Sequence, residues 1–361
     1  MSANKTVADQ HAVIGNTSAE HTEFARTTHP GADWFYHPVQ LGLFIHWGIS
    51  SVAGNHDISC SMIEHPENRR KGKGIMSPRE YWKLAEKFNP QNYEPEKWLQ
   101  AAKDAGFSYA VLTTKHHDGF ALWPSEVSDF STKNYMGGRD LVREYVDACR
   151  KVGLKVGFYY SPPDWRFNQD YMSFMSGSRS AANPDRKHKD IDHKDIEGDL
   201  PVMPVEHYDR YMTYMNGQLR ELLTNYGQID LLWFDGSVAD ISKAISIEEI
   251  RELQPQIVVN DRLWGWGVGD YCSRFECHLP AEQPDMPWET SAIWHIGPGW
   301  SYVSNSDKYR QLDITMHQYE TCKKWGGNLL LNIAPDADGV VPEAYYKAAR
   351  ELADAIKALE E

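Results

Sequence analysis

Short apolar runs that end abruptly on polar residues recur along this chain. In IDLLWFDG, Ile229 to Gly236, five of the first six residues are apolar before the run stops at Asp235. That density predicts a strand buried on both faces. LGLFIHW (Leu41 to Trp47), YAVLTTKHHDGF (Tyr109 to Phe120), VGFYYS (Val156 to Ser161), QIVVNDR (Gln256 to Arg262) and Leu329 to Ile333 near Asn332 repeat the theme. Between them lie segments of helical period. Ser77-Pro78 with Glu80 predicts a capped helix start, and further helices are expected at Pro95 to Ala105, Asp140 to Val152, Val205 to Tyr226, Ile247 to Leu253, Asp307 to Trp325 and Pro342 to Leu359.

Strand and helix alternate with short turns on one side and polar clusters on the other. The pattern predicts a parallel sheet, and the length of 361 residues suits an α/β (β/α)8 TIM-like barrel. We expect one catalytic domain from residue 33 to 361 after a polar tail, 1–32. The stretch from Pro162 to Pro204 is polar and long for a connection, which predicts a lid or substrate-side loop. The Trp-, Gly- and Pro-rich segment Leu263 to Tyr302 has no clear period, and the run RRKGKG, Arg69 to Gly74, reads as loop.

Composition narrows the partners. The net charge of −14 argues against nucleic acid or an anionic membrane surface. No apolar stretch is long enough for a membrane span, and the first 20 residues lack a signal-peptide core, so a cytoplasmic setting is expected. Five scattered cysteines without a Cys-x-x-Cys pair argue against a disulfide framework or zinc knuckle. The 13 tryptophans and 19 tyrosines suit a core and equally a sugar-binding cleft. A homo-oligomer is left open.

A carboxylate at the end of a buried strand costs several kcal/mol unless it is paired or used. Taken alone, Asp235 would read as a helix cap. In a barrel of this kind the active site lies at the carboxyl ends of the strands, and His46, His116, His117, Tyr160, Asp235 and Arg262 all fall there. Paired histidines near an Asp also suit a metal, and a metal-dependent hydrolase using His46, His116 and Asp235 is one rival. Against it, neighbours on a continuing strand point to opposite faces, so only one of His116 and His117 would face inward.

IHWG (Ile45 to Gly48), TTKHHDGF (Thr113 to Phe120) and WFDG (Trp233 to Gly236), with FYYS, VVNDR and GGNLLLNIAPDADG, resemble glycoside hydrolase family 29, the α-L-fucosidases. The resemblance runs from about Trp34 to Asp338 and implies a retaining exo-glycosidase acting on fucosylated glycans, with no metal or organic cofactor. Three features differ from the family pattern. Many relatives carry a carboxyl-terminal β-sandwich, and none is expected here. No clear Glu-Trp-Tyr follows the first strand, where Asn55-His56-Asp57 or Glu64 stands. Trp300-Ser301-Tyr302 replaces Trp-Gly-Tyr.

The resemblance makes Asp235 the nucleophile. Retention requires a second carboxyl group, the acid/base. GDYCSRFECHLP, Gly269 to Pro280, lies where relatives place a Glu, which favours Glu276, with Asp270, Glu282 and Glu289 as competitors. His46, His116 and His117 would bond sugar hydroxyls, since neutral imidazole offers a donor and an acceptor. Trp233 and Trp300 would pack on the fucose methyl, and Tyr160, Arg262 and Glu64 complete the expected substrate contacts. A second rival is a sugar-binding relative that has lost its acid/base.

Overall fold

The computed structural model describes residues 31–36, 39–54, 56–64, 75–177, 184–265, 268–297, 299–304 and 308–361. The run Arg69 to Gly74 and residues 1–30 of the expected tail lie outside the described residues. Eight parallel strands form one curled sheet: β1 (Leu41–Ile45), β2 (Phe107–Lys115), β3 (Lys155–Tyr160), β4 (Leu231–Phe234), β5 (Val258–Val259), β6 (Cys272–Glu276), β7 (Trp288–Ile293) and β8 (Gly327–Ile333). Their order is β5-β4-β3-β2-β1-β8-β7-β6. The edge strands meet at a parallel bridge between Asn260 and Tyr271, and Asp270 N donates to Val259 O at 2.7 Å. This curled parallel sheet with its helices is consistent with the expected (β/α)8 barrel.

The helices are α1 (Asp33–Tyr36), α2 (Pro78–Trp82), α3 (Pro95–Asp104), α4 (Thr132–Tyr135), α5 (Leu141–Val152), α6 (Val205–Thr224), α7 (Ile247–Leu253), α8 (Leu312–Trp325) and α9 (Glu343–Glu360). Ser77 caps α2 as expected, and with Glu80 it forms a capping box. Strands β6 and β7 fall in the segment left without a period by the sequence. Among the described residues no helix separates β5 from β6 or β6 from β7, so the strand–helix alternation lapses there.

The sheet divides the apolar residues into two sets. Leu43, Leu112, Val156, Phe158, Leu232 and Phe234 face the helices, while Phe44, Tyr109, Val111, Tyr159, Leu231, Trp233 and Leu330 fill the inside of the curl. Gly42 makes room for one of these: a Cβ there would lie 2.2 Å from the Tyr109 ring. Helix α1 packs against this inner set at the end away from the site. Phe35 lies against Tyr271 at 4.5 Å between ring centres, and Tyr36 donates to Asp270 O at 3.3 Å. Helix α1 thereby caps the curl from below, and the strand ends above it are left for chemistry.

Candidate active site

Strands β1 to β6 and β8 deliver the site. Asp235 follows β4 and is held on both oxygens: the Tyr159 hydroxyl donates to Oδ2 at 2.6 Å and Arg262 Nη1 donates to Oδ1 at 2.9 Å. His117 Nε2 stands 3.5 Å from Oδ2. Arg262, beyond β5, reaches further with Nη2, which donates to Glu276 Oε2 at 3.0 Å and to Ser273 O at 2.8 Å. One guanidinium therefore joins Asp235 to Glu276, whose side chain is 44% exposed. Burial works against the charge on Arg262, yet Glu276 and Asp235 outweigh it and hold the guanidinium above its ordinary pKa. Its underside lies 4.2 Å from the Trp233 ring centre, which stacks in turn on Tyr159.

The histidines form the opposite wall. His46 Nδ1 donates to Asn332 Oδ1 at 2.6 Å, and burial pushes its pKa down to about 3. His116 stacks on Tyr159 at 5.3 Å and is bonded through Nδ1 to Ser59 Oγ at 2.6 Å; burial, then His117 and His46, push its pKa well down. Ser161 Oγ donates to Pro163 O at 2.7 Å, so His117 Nδ1 is the donor to Ser161 Oγ. The neutral ring of His46 therefore presents a bare Nε2 inward, while Nε2 of His117 is turned to the Asp235 carboxylate. Trp300 lies beside His46 at 5.0 Å between ring centres, its backbone N–H bonded to Asp57 Oδ1 at 2.9 Å.

Several expectations need correction. Tyr160 points at the helices, where its hydroxyl donates to Gln218 Oε1 at 2.8 Å; strand parity gives its neighbour Tyr159 the inward position. His116 and His117 both face the site because β2 stops at Lys115 and the alternation stops with it. Asp270 is no acid/base: it is buried at the start of β6, accepting from Val259 N at 2.9 Å and Arg251 Nη2 at 3.2 Å. Glu289 is sealed inside the curl, where Tyr109 (2.5 Å) and Trp233 Nε1 (2.9 Å) donate to it. Glu282 is exposed in the loop between β6 and β7. Glu64 ties the first loop to the 162–204 connection, through a bridge to Met175 and an ion pair with Lys189 at 3.6 Å.

The sequence reading missed Tyr159, Asn332 as more than a strand end, and the hydroxyls of Ser59 and Ser161 that orient the two histidines. The tandem Tyr159-Tyr160 was the available signal. Lys115, from the same polar cluster, is fully buried and paired with Asp164 at 3.3 Å, which pins the start of the 162–204 connection. His116, His117 and Asp235 also place ligand atoms within 4.8 Å of one another, a donor set that suits a divalent cation. Arg262 already supplies positive charge to the same carboxylate and opposes a second cation there.

Comparison with known proteins gives the family. The family profile described as Alpha-L-fucosidase matches residues 6–361. Curated relatives include alpha-L-fucosidase 1 of Arabidopsis thaliana, 28% identical over 74% of this chain and 52% of its own length. Human tissue alpha-L-fucosidase is 29% identical over 85% of this chain and 64% of its own. The chain thus spans between half and two thirds of the length of these relatives. Among solved structures, alpha-L-fucosidase isoenzyme 1 from Paenibacillus thiaminolyticus is similar at 35% identity and a TM-score of 0.72, covering 91% of this chain and 76% of that one. The Thermotoga maritima alpha-fucosidase, solved with a mechanism-based inhibitor, is similar at 26% identity and a TM-score of 0.65, covering 91% and 74%. A variant of alpha-L-fucosidase AlfC, in complex with Fuca(1,6)GlcNAc, is similar at 26% identity and a TM-score of 0.68, covering 91% and 99%. By the family match over residues 6–361, this chain belongs to the alpha-L-fucosidase family.

Proposed function

We propose that this chain is a retaining exo-α-L-fucosidase. It would remove terminal α-L-fucose from glycans by double displacement, within a single catalytic (β/α)8 domain from residue 33 to 361. The observation that carries the reading is the shared guanidinium of Arg262. Bonds of 2.9 and 3.0 Å to two nitrogens of one planar group keep the nearest oxygens of Asp235 and Glu276 within about 8 Å. Release of Arg262 lets the exposed Glu276 swing to the ~5–5.5 Å separation that retention uses.

Asp235 attacks the anomeric carbon. Tyr159 and Arg262 hold its carboxylate in one orientation, so little ordering remains to be done when the sugar arrives. Positive charge growing at the sugar ring meets the fixed negative charge of Asp235. Glu276, reached by solvent at the mouth, gives a proton to the departing oxygen and then takes one from the incoming water. The bare Nε2 of His46 accepts a sugar hydroxyl proton and Trp300 faces the apolar side of fucose, whereas Trp233, expected there too, is buried beneath Arg262 and Tyr159. No step calls on a cofactor.

The complex of AlfC with Fuca(1,6)GlcNAc supports a fucosylated glycan as substrate. No helix among the described residues is long and apolar enough to cross a membrane. We place the chain in a reducing, cytoplasmic setting, in keeping with five cysteines that form no disulfide among the described residues. The donor set His116, His117 and Asp235 favours a second reading, a metal-dependent hydrolase. A panel of nitrophenyl glycosides followed by fucosylated oligosaccharides tests the first. Turnover confined to the α-L-fucoside is expected, and activity on other glycosides without it would overturn the proposal.

A further inference from the structure

The inside of the site holds one buried amide that the reaction scheme above does not use. Asn332, on the carboxyl-terminal part of β8, is fully buried, and both halves of its amide are committed. Its Nδ2 donates to the Trp300 carbonyl at 2.8 Å and its Oδ1 accepts from His46 Nδ1 at 2.6 Å. The reverse orientation of the amide would set its oxygen against the Trp300 carbonyl, two acceptors facing each other, so the assignment is fixed by chemistry. We propose that Asn332 is a positioning residue that fixes, through one amide, both the proton polarity of His46 and the place of Trp300.

The inference rests on the fucosidase reading for its kinetic consequence but not for its geometry. With its proton held on Nδ1, a neutral His46 offers Nε2 only as an acceptor. A ring free of Asn332 would exchange between two tautomers and present a donor part of the time. Burial keeps the wild-type ring neutral. The titratable groups facing it are His116 and His117 after β2, Tyr159 on β3 and His295 after β7. The same amide holds Trp300 from its carbonyl, while Asp57 holds its N–H, and Ser301 Oγ bonds to Ser50 Oγ at 2.7 Å. The Trp300 ring lies against His46 and 6.1 Å from Phe44, so a loosened carbonyl moves the wall that touches the histidine.

Two variants of the full chain separate this role from bulk packing. Asn332→Leu removes both bonds at similar size. Asn332→Asp keeps the shape and the acceptor for His46, loses the donor to Trp300, and puts a negative charge beside the ring. Long-range ¹⁵N–¹H NMR on protein carrying ¹⁵N-histidine reads the His46 tautomer directly, with no substrate present. The expected wild-type result is a proton on Nδ1 and a bare Nε2, with exchange or inversion in Asn332→Leu. If the leucine variant does not fold, Asn332→Asp carries the test. A carboxylate beside Nδ1 stabilises the imidazolium, so its His46 should titrate at least one pH unit above the wild-type group. In kinetics on an aryl α-L-fucoside, Asn332→Asp should then raise KM at least tenfold at the acid end and restore much of it on the alkaline side. A wild-type His46 protonated on Nε2, or an aspartate variant that is folded and shows the wild-type titration and profile, would overturn the inference. Absence of wild-type turnover would instead fail the fucosidase reading, while the NMR result still decides the role of Asn332.

Discussion

Glu289→Gln isolates a titration buried inside the curled sheet. The carboxyl group accepts from Tyr109 and Trp233 Nε1 and lies 3.5 Å from the Tyr271 hydroxyl, with no exposure to speak of. Burial raises its pKa from 4.5 to about 7, although these donors pull the other way. A folded value above the unfolded one means that the folded state holds the proton more tightly. The associated stability is fully present below pH 4.5 and is lost as pH rises to about 7. At 1.36 kcal/mol for each pH unit between the two values, the loss is roughly 3 kcal/mol. Glutamine cannot ionise and keeps an acceptor for Trp233, but its amide must find a turned Tyr109 hydroxyl, which offsets about 1 kcal/mol. The variant should therefore be more stable than the wild type by roughly 2 kcal/mol at pH 8.5, and level with it or weaker at pH 4.5. Urea unfolding followed by tryptophan fluorescence at both pH values gives the difference, in which all other titrations cancel. A difference that does not change with pH would refute the buried titration.

Two further outcomes bear on the chemistry. Glu276→Ala should lose about 10²–10⁴-fold on a fucosylated oligosaccharide and far less on the nitrophenyl fucoside, whose leaving group departs with little protonation. Equal losses on both substrates would remove Glu276 from the acid/base role. Dialysis against a chelator should leave the rate unchanged; a loss reversed by zinc would establish His116, His117 and Asp235 as a metal centre.

The convergence of strand ends was legible in the sequence because it follows from where apolar runs stop, and Asp235 and Arg262 stand together as that argument requires. Parity was not legible. Every residue of β3 from Val156 to Tyr160 is buried, so hydrophobicity carries no alternation, and Tyr160 could not be told from Tyr159. Both His116 and His117 turn inward because β2 ends at Lys115, before either histidine, so strand alternation does not govern them. Asp270 and Glu289 looked like free carboxylates because their partners, Arg251 and Tyr109, lie far away in the chain. Strand β5 has only two residues, and β6 and β7 follow with no described helix between them. A period-based reading has too little length to work with there. Asn332 shows the general limit: a buried amide reveals its role only through partners 32 and 286 residues away.

The central claim is that Asp235 forms a covalent bond to fucose, and azide rescue of Asp235→Ala tests it most directly. The variant should lose at least about 10³-fold on an aryl α-L-fucoside while keeping its fold. Azide should enter the space left by the carboxylate and restore turnover, with ¹H NMR showing the β-fucosyl azide as product. More than a few per cent of wild-type activity without azide, or an α-configured azide product, would contradict the assignment of Asp235 as nucleophile.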